Sequence, residues 1–205
     1  MNKARKNIAV NTRLLLPDGL EGIGRFSVEV LKRMVQQNPD VNFHFFFDRA
    51  FDEKYLFGPN VIPHVLFPQA RHAFLFIWFF EYAVAAKLRK IKADVYFSPD
   101  GYLSLRSAVP QVPVFHDLAF EHFPQDVAKS AAWHYRKYFP KYAHKAAQIL
   151  TVSEYTKQDI VQQYKVNPDK ITVTYNACSD HFHPSDAAAQ RKIREELTGG
   201  KPYFH

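Results

Sequence analysis

The stretch that decides the fold class is ILTVSEYTKQDIVQQY, residues 149–164. Its first four residues form a short, largely apolar run, which is typical of a buried β-strand. Ser153 follows as a preferred helix N-cap, and Glu154 adds a favourable negative charge to the first turn. The pattern therefore predicts a strand over residues 149–152 that leads directly into a helix ending near Tyr164.

The same alternation of short strands and helices extends in both directions from this segment. Strands are predicted over residues 8–11, 41–47, 61–67, 93–97, 112–115 and 171–175. Helices are predicted over residues 24–37, 72–90 and 185–197, and a helical pattern over residues 127–148 is interrupted by Pro140. Because proline bends or breaks a helix, we expect a kink or two helices there. The alternation predicts an α/β fold, a parallel sheet with helices on both faces.

The composition is that of a globular domain with an excess of positive charge. The chain has 205 residues, of which 47% are hydrophobic and 23% charged, and its formal net charge is +7. This charge favours an anionic partner and leaves three kinds open: nucleic acid, a phosphate-bearing small molecule or an acidic membrane face. The single cysteine, Cys178, excludes an internal disulfide and suits a reducing cytosol. We expect neither a signal peptide nor a membrane-spanning helix, because the apolar stretches are too short.

A pair of glycines marks the first candidate binding site. Gly22 and Gly24 stand with Arg25 at a loop-to-helix junction, where backbone N–H groups and the helix dipole can receive an anion. The stretch is not a dinucleotide fingerprint, because Ser27 occupies the position of the third glycine. The alternative interpretation is that the two glycines only form a turn and the start of a helix.

Three further clusters follow predicted strands, where ligands of such sheets collect. His116 and Asp117 come directly after one strand, and a histidine there can hydrogen-bond a ligand hydroxyl or stabilise charge in a transition state. A purely structural histidine explains the pattern equally well. The Ser-Pro-Asp-Gly segment at residues 98–101 is more typical of a turn, and Asn176 stands at a strand end. Ten histidines without an HExxH pair argue against a metal site.

Two helical segments are rich in aromatic residues. Residues 129–145 carry five lysines or arginines and no acidic residue, interleaved with five aromatic residues. Such a stretch can bind nucleic acid or a membrane surface, although an amphipathic helix that buries its aromatic residues is the simpler interpretation. Residues 72–90 are apolar nearly all the way round, which predicts either deep packing or contact with lipid or a partner.

Five segments, in this order and at this spacing, resemble the amino-terminal domain of family-4 glycosyltransferases, which have the GT-B fold. They are GIGR at residues 22–25, DVYFSP at 94–99, VFHDL at 114–118, ILTVSEYTK at 149–157 and KITVTYNA at 170–177. The resemblance implies a Rossmann-like acceptor-side domain over residues 1–184. It also implies that residues 185–205 form a linker helix and the first strand of a donor-binding domain that the chain does not include.

The resemblance further implies an activity. A sugar would pass from a nucleotide-sugar to a hydroxyl of a glycan or lipid-linked acceptor in polysaccharide biosynthesis, with retained anomeric configuration and without a metal or other cofactor. His116 and Asp117 would lie at the catalytic centre, and the residues near the substrates would be Gly22, Gly24, Arg25, Ser153, Glu154 and Asn176. The family commonly has Asn-Gly where this chain has Asn176 followed by alanine.

The same resemblance implies a place in the cell and leaves one alternative. Such an enzyme would work in the cytoplasm, with a peripheral contact to the anionic inner face of the membrane, and nucleic acid is not an expected partner. The alternative is a non-catalytic α/β module that binds a phosphorylated ligand or an acidic partner through its glycine loop.

Overall fold

The computed structural model describes residues 5–17, 19–70, 72–178 and 184–202. The chain divides into two units, Met1–Tyr175 and Asn176–His205. The first unit holds a parallel sheet with helices on both faces, which confirms the predicted fold class. The described part of the second unit holds the helix α7 (Ala187–Thr198), which Asp186 caps by accepting from two backbone N–H groups.

Seven strands form the sheet within the described residues of the first unit. They are β1 (Asn7–Asn11), β2 (Asn42–Phe47), β3 (Val61–Val65), β4 (Val95–Ser98), β5 (Gln111–Phe115), β6 (Ile149–Thr151) and β7 (Ile171–Val173). Their spatial order is β3-β2-β1-β4-β5-β6-β7, and all neighbours are parallel. The order reverses between β1 and β4. Ligands of open α/β sheets bind outside the carboxyl ends of the strands at such a reversal.

The helices of the first unit cover both faces of the sheet. One face carries α1 (Gly22–Gln37). The other carries α2 (Ala73–Trp78), a π-helical turn (Phe79–Val84), α3 (Ala85–Lys90), α4 (Ala119–His122), α5 (Lys129–Lys145) and α6 (Glu154–Tyr164). Among the helices that the structure describes, none is long and apolar enough to cross a bilayer.

Alternation along each strand directs side chains into two separate cores. On β2, Phe43, Phe45 and Phe47 enter the core under α1, where they meet Leu31 and Val35. The opposite core joins the other face of the sheet to the remaining helices, and its members include Phe46, Leu88, Tyr96, Phe115, Tyr142 and Ile160. The two cores hold the strand ends, and therefore the loops that follow them, in fixed positions.

Most predicted elements are confirmed, with bounds shifted by up to three residues. Of the two alternatives expected at Pro140, a kink or two helices, the second is wrong, because α5 runs through the proline as one helix. Phe139, Tyr142 and Ala143 are buried on either side of the proline, and their packing offsets the hydrogen bond that it removes. No periodic pattern marks α4, which has only four residues. The predicted strand at the chain end falls mostly on residues 203–205, outside the described residues.

Candidate functional site

A cavity of about 360 Å³ opens at the carboxyl ends of β1, β4 and β5, beside the reversal of strand order. Arg13 follows β1, Asp100 follows β4, and His116 and Asp117 follow β5, so three strand ends contribute polar groups to one space. Aromatic rings form much of the remaining wall: Phe76, Tyr102, Phe115, Phe120, Tyr135 and Phe139. An apolar wall with a few convergent polar groups is typical of a small-molecule site.

His116 is held on several sides. Its ring nitrogen Nε2 donates to the carbonyl of Pro99 at 2.8 Å, and the ring makes an edge contact with Phe26 at 4.9 Å between centroids. Its own carbonyl accepts from the Thr156 hydroxyl at 3.1 Å. A carbonyl only accepts, so the ring proton sits on Nε2. Among the described residues, Nδ1 has no hydrogen-bond partner and remains available to a ligand.

Asp117 lines the same cavity and also starts α4. Its Oδ1 accepts from the backbone N–H of Ala119 at 2.9 Å, which accounts for the beginning of that short helix. The side chains of His116 and Asp117 hydrogen-bond to different groups, as expected for neighbours that leave an extended strand in opposite directions. The two residues therefore act in the cavity separately.

Arg13 forms a buried ion pair that the sequence patterns do not reveal. Its Nη2 lies 2.7 Å from Asp100 Oδ2, and its guanidinium lies 4.9 Å from the centre of the Phe76 ring and 5.0 Å from that of Tyr102. Burial alone would lower the pKa of Arg13, but attraction to Asp100 and Tyr102 outweighs it, so the pKa is raised. Arg13 therefore stays positively charged. The only sequence signal for it is its place two residues after a predicted strand end.

The glycine loop forms the start of α1, as its position predicts. α1 begins at Gly22, and Glu21 before it makes no side-chain cap, which leaves the first N–H groups of the helix open to an anion. A Cβ on Gly24 would lie 3.0 Å from the Leu14 carbonyl oxygen, so the backbones approach too closely for a larger residue. A Cβ on Gly22 would meet nothing within 4 Å. Gly24 is thus the glycine that the local packing requires.

The glycine loop lies beside the cavity that contains His116 and also beside two broader openings in the surface. Ile23, between the two glycines, lines the cavity beside His116. Arg25 donates to the Leu20 carbonyl at 3.3 Å and lines a broader opening of about 740 Å³ with Lys32. A second broad opening of about 730 Å³ shares Pro17, Gly19 and Leu20 with it. Neither broad opening includes Asp100, His116 or Asp117, so the smaller cavity is the better candidate for chemistry.

The remaining predicted site residues are Ser153, Glu154 and Asn176. Ser153 caps α6 by accepting from the N–H of Thr156 at 3.1 Å, and its Oγ lies 2.9 Å from the hydroxyl of Thr156, the residue that binds the His116 carbonyl. Glu154 is exposed in the first turn of α6. Asn176 is exposed and belongs to the second unit. The structure therefore links Ser153 to the cavity, and it does not bring Glu154 into it.

A metal centre would be a different kind of site. Within the part of the chain that the structure describes, no three histidine, cysteine or acidic side chains converge in a way that could hold an ion. The charged groups of the cavity instead form an ion pair and hydrogen bonds with one another and with the backbone.

The fold is that of glycosyltransferase domains. The structure of WaaG, a glycosyltransferase involved in lipopolysaccharide biosynthesis, superposes with a TM-score of 0.61 at 11% identity, covering 95% of this chain and 52% of that one. HepE from Anabaena, in complex with UDP-glucose, superposes with a TM-score of 0.56 at 16% identity, covering 93% and 49%. These likenesses establish a Rossmann-like domain of the GT-B type.

Sequence comparison places the chain in a family. The model of the family described as Glycosyltransferase Family 4 matches residues 20–181, and the chain belongs to that family. O-antigen chain mannosyltransferase B from Escherichia coli is 25% identical over 182 residues, which are 82% of this chain and 47% of that protein. The chain thus spans about half the length of the relatives it matches.

Proposed function

We propose that this chain is the acceptor-binding domain of a retaining, metal-independent glycosyltransferase. The enzyme would move a sugar from a nucleotide-sugar to a hydroxyl of a glycan or lipid-linked acceptor during polysaccharide biosynthesis. The observation that carries the proposal is the cavity at the strand reversal, in which the orientation of His116 is fixed and Nδ1 is left open. Family membership and the lipopolysaccharide and O-antigen relatives support it.

The cavity suits one end of a sugar chain. Aromatic walls such as Tyr135 and Phe120 offer apolar faces to the C–H side of a sugar ring, while Arg13, His116 and Asp117 offer polar groups to its hydroxyls. Such a site accelerates transfer by holding the acceptor hydroxyl in line with the donor sugar. The N–H groups at the start of α1 would stabilise negative charge on the departing diphosphate.

The donor is the second element of the proposal. A second domain, facing the cavity, would hold most of the nucleotide-sugar, which agrees with relatives twice as long as this chain. Residues 1–184 would then be the acceptor-side domain, and residues 185–205 would lead into the donor-binding domain. The 205-residue chain alone would bind acceptor and transfer no sugar.

A peripheral membrane contact completes the proposal. Trp133 on α5 is 52% exposed, and Lys137 Nζ lies 4.4 Å from the centre of its ring. Trp78 on α2 is 46% exposed, and Tyr82 carries the Arg106 guanidinium at 4.5 Å. Aromatic rings paired with cations suit the headgroup region of an anionic bilayer. The enzyme would therefore work in the cytoplasm, at the inner face of the membrane, where a lipid-linked acceptor is presented.

The experiment is a transfer assay on the full-length protein that contains this chain. UDP-glucose and GDP-mannose serve as donors, with oligosaccharides that end in glucose or mannose as acceptors, and NMR reports the anomeric configuration of the product. We expect a new glycosidic bond with the donor's configuration, unaffected by EDTA, and no product from the 205-residue chain. Inverted configuration, loss of activity with EDTA, or transfer by the chain alone would contradict the corresponding part of the proposal.

A further inference from the structure

We infer that Asp100 is a positioning residue that fixes the ring of His116 through the carbonyl of Pro99. The inference rests on the proposed function for its consequence, since it concerns the geometry of the residue placed beside the transferred sugar. Asp100 belongs to the 98–101 segment, which the sequence patterns favour as a turn. The structure gives that turn a second role, because its backbone holds the polar contact that orients the His116 ring.

The first link is the hydrogen bond from His116 Nε2 to the Pro99 carbonyl at 2.8 Å. Phe26 touches the ring edge-on and supplies no polar contact. The orientation of the imidazole, and with it the direction of Nδ1, therefore depends on where the Pro99 carbonyl lies. Pro99 itself has no backbone N–H with which to be held.

The second link is the carboxylate of Asp100, the next residue. Its Oδ1 accepts from Asn11 Nδ2 at 2.6 Å, from Ser98 Oγ at 3.0 Å and from the backbone N–H of Tyr102 at 3.4 Å. Its Oδ2 accepts from Arg13 at 2.7 Å. Asp100 thus joins the ends of β1 and β4 and fixes the loop that carries the Pro99 carbonyl.

The shape of the loop leaves little freedom for an alternative arrangement. Gly101 has a φ of +84°, and a Cβ there would lie 3.2 Å from the rings of Phe115 and Phe139. Only glycine combines that backbone angle with that space. A substitution at Gly101 would therefore distort the turn itself. A substitution of the Asp100 side chain changes what holds the turn and leaves this backbone conformation accessible.

The effect of removing the Asp100 charge follows from the surroundings of Arg13. The guanidinium lies about 5 Å from the centres of the Phe76 and Tyr102 rings, which stack on each other, and it has Asp100 as its ion-pair partner. Asp100→Asn keeps the shape of the side chain and leaves Arg13 as an unpaired buried charge, so the ends of β1 and β4 separate. The Pro99 carbonyl then moves away from His116.

A matched control is available at the end of β2. The side chain of Asp48 is 0% exposed, pairs with Arg49 at 2.7 Å and accepts from the N–H of Ala70 at 3.0 Å. Asp48→Asn removes a buried carboxylate whose charge also helps to raise the pKa of Arg13, whereas within the described residues its hydrogen bonds go to Arg49 and Ala70 and not to Pro99 or His116. A general loss of stability would affect both variants, whereas a positioning effect belongs to Asp100→Asn alone.

The first test is NMR on the 15N-labelled 205-residue chain, which follows solvent exchange of the His116 Nε2–H proton and requires no activity. We expect exchange about 10-fold faster in Asp100→Asn, because the hydrogen bond to Pro99 opens, and unchanged in Asp48→Asn. If Asp100→Asn does not fold, Ser98→Ala keeps the ion pair and removes one donor to Asp100, and it should accelerate exchange in the same direction. Unchanged exchange in a folded Asp100 or Ser98 variant overturns the inference.

The second test is kinetic and uses the full-length protein. A displaced His116 ring should lower kcat about 100-fold while KM changes little, since a shift of about 1 Å at a reacting group costs that much. Asp48→Asn should retain the parent kcat. Faster exchange with an unchanged kcat overturns the positioning role. Faster exchange in a protein that transfers no sugar supports the His116 geometry and contradicts the proposed function, so the two failures are distinguishable.

Discussion

His134 lies in α5 with 3% of its surface exposed, and within the described residues neither ring nitrogen has a hydrogen-bond partner. Its ring stacks on Tyr138 at 4.6 Å and lies near Phe76. The pKa of His134 is lowered to about 4, first by burial and then by the positive charges of Arg13 and Lys137. The imidazole is therefore neutral in the folded chain at physiological pH, at the cost of burying polar atoms.

This environment predicts how stability depends on pH. Unfolded His134 titrates near 6.5 and the folded residue near 4, so the unfolded chain binds more protons between these values and stability falls as pH drops through them. His134→Phe keeps the ring stacking and removes the titration, so the loss of unfolding free energy between pH 7 and pH 5 should shrink by about 1 to 2 kcal/mol. Urea unfolding at the two pH values measures this loss.

The control for that prediction is His144→Phe, which alters an exposed histidine of the same helix. It should leave the difference between the two pH values as in the parent. His64, whose pKa is also lowered to about 4 by burial, Lys87 and His44, keeps part of the pH dependence in every variant. An equal effect of the His134 and His144 substitutions would show that burial of His134 is not responsible.

At the scale of single residues, the sequence predicts the site residues that directly follow a strand. It does not predict the side-chain pairs that form between the ends of neighbouring strands. His116 and Asp117 are recognisable because they follow an apolar run directly. Arg13 and Asp100 are 87 positions apart, and only the pairing of β1 with β4 brings them to 2.7 Å. No local pattern encodes that pairing, so the ion pair emerges from the fold alone.

At the scale of elements, the two aromatic helical segments each bury some rings and expose others, and the periodicity of the sequence predicts this only in part. α5 buries Phe139 and Tyr142, as the simpler amphipathic interpretation expects, but it leaves Trp133 exposed beside Lys137. The segment over 72–90 buries Phe79 and Phe80 and exposes Phe74 and Trp78, so deep packing is confirmed for part of it, and contact of the exposed rings with lipid or a partner stays a prediction. Periodicity identifies a helix and its apolar face, whereas the part of that face that is buried depends on the elements that pack against the helix.

The exposed rings predict a salt-sensitive membrane contact. We expect the 205-residue chain to sediment with vesicles of phosphatidylglycerol and phosphatidylcholine at low ionic strength. The double variant Trp133→Ser, Lys137→Glu should bind at least about 30-fold more weakly, since reversing one charge near an anionic surface costs about 2 kcal/mol. Vesicle sedimentation over a range of lipid concentrations gives both affinities.

A matched double variant on α6 serves as the control. Tyr155 is 72% exposed, and Tyr155→Ser with Lys157→Glu makes the same kind of change on a different helix. This variant should lose less vesicle affinity, relative to the parent chain, than the α5 variant does. Failure of the parent chain to sediment, or an equal loss in both variants, would contradict a membrane contact through α5.

At the scale of the whole molecule, the strand order decides where chemistry can occur. The alternation of strands and helices predicts a parallel sheet, but it does not fix the order β3-β2-β1-β4-β5-β6-β7. That order places the ends of β1, β4 and β5 side by side at the reversal, and the cavity is the space above them. Several weak motifs thus become one site only in the folded chain, which is why the resemblance of ordered segments predicts more than any single motif.

We propose that the cavity around His116 carries the sugar transfer, and a kinetic comparison of two histidine variants tests this role. It compares the turnover of the full-length protein carrying His116→Ala with that of His122→Ala. His122 lies six positions further on, pairs with Asp159 at 2.8 Å and does not line the cavity, so it is the matched control. We expect His116→Ala to lower kcat by about 100- to 1000-fold while His122→Ala stays within about threefold of the parent. Equal turnover of the two variants, with both folded, would show that the cavity around His116 does not carry the transfer.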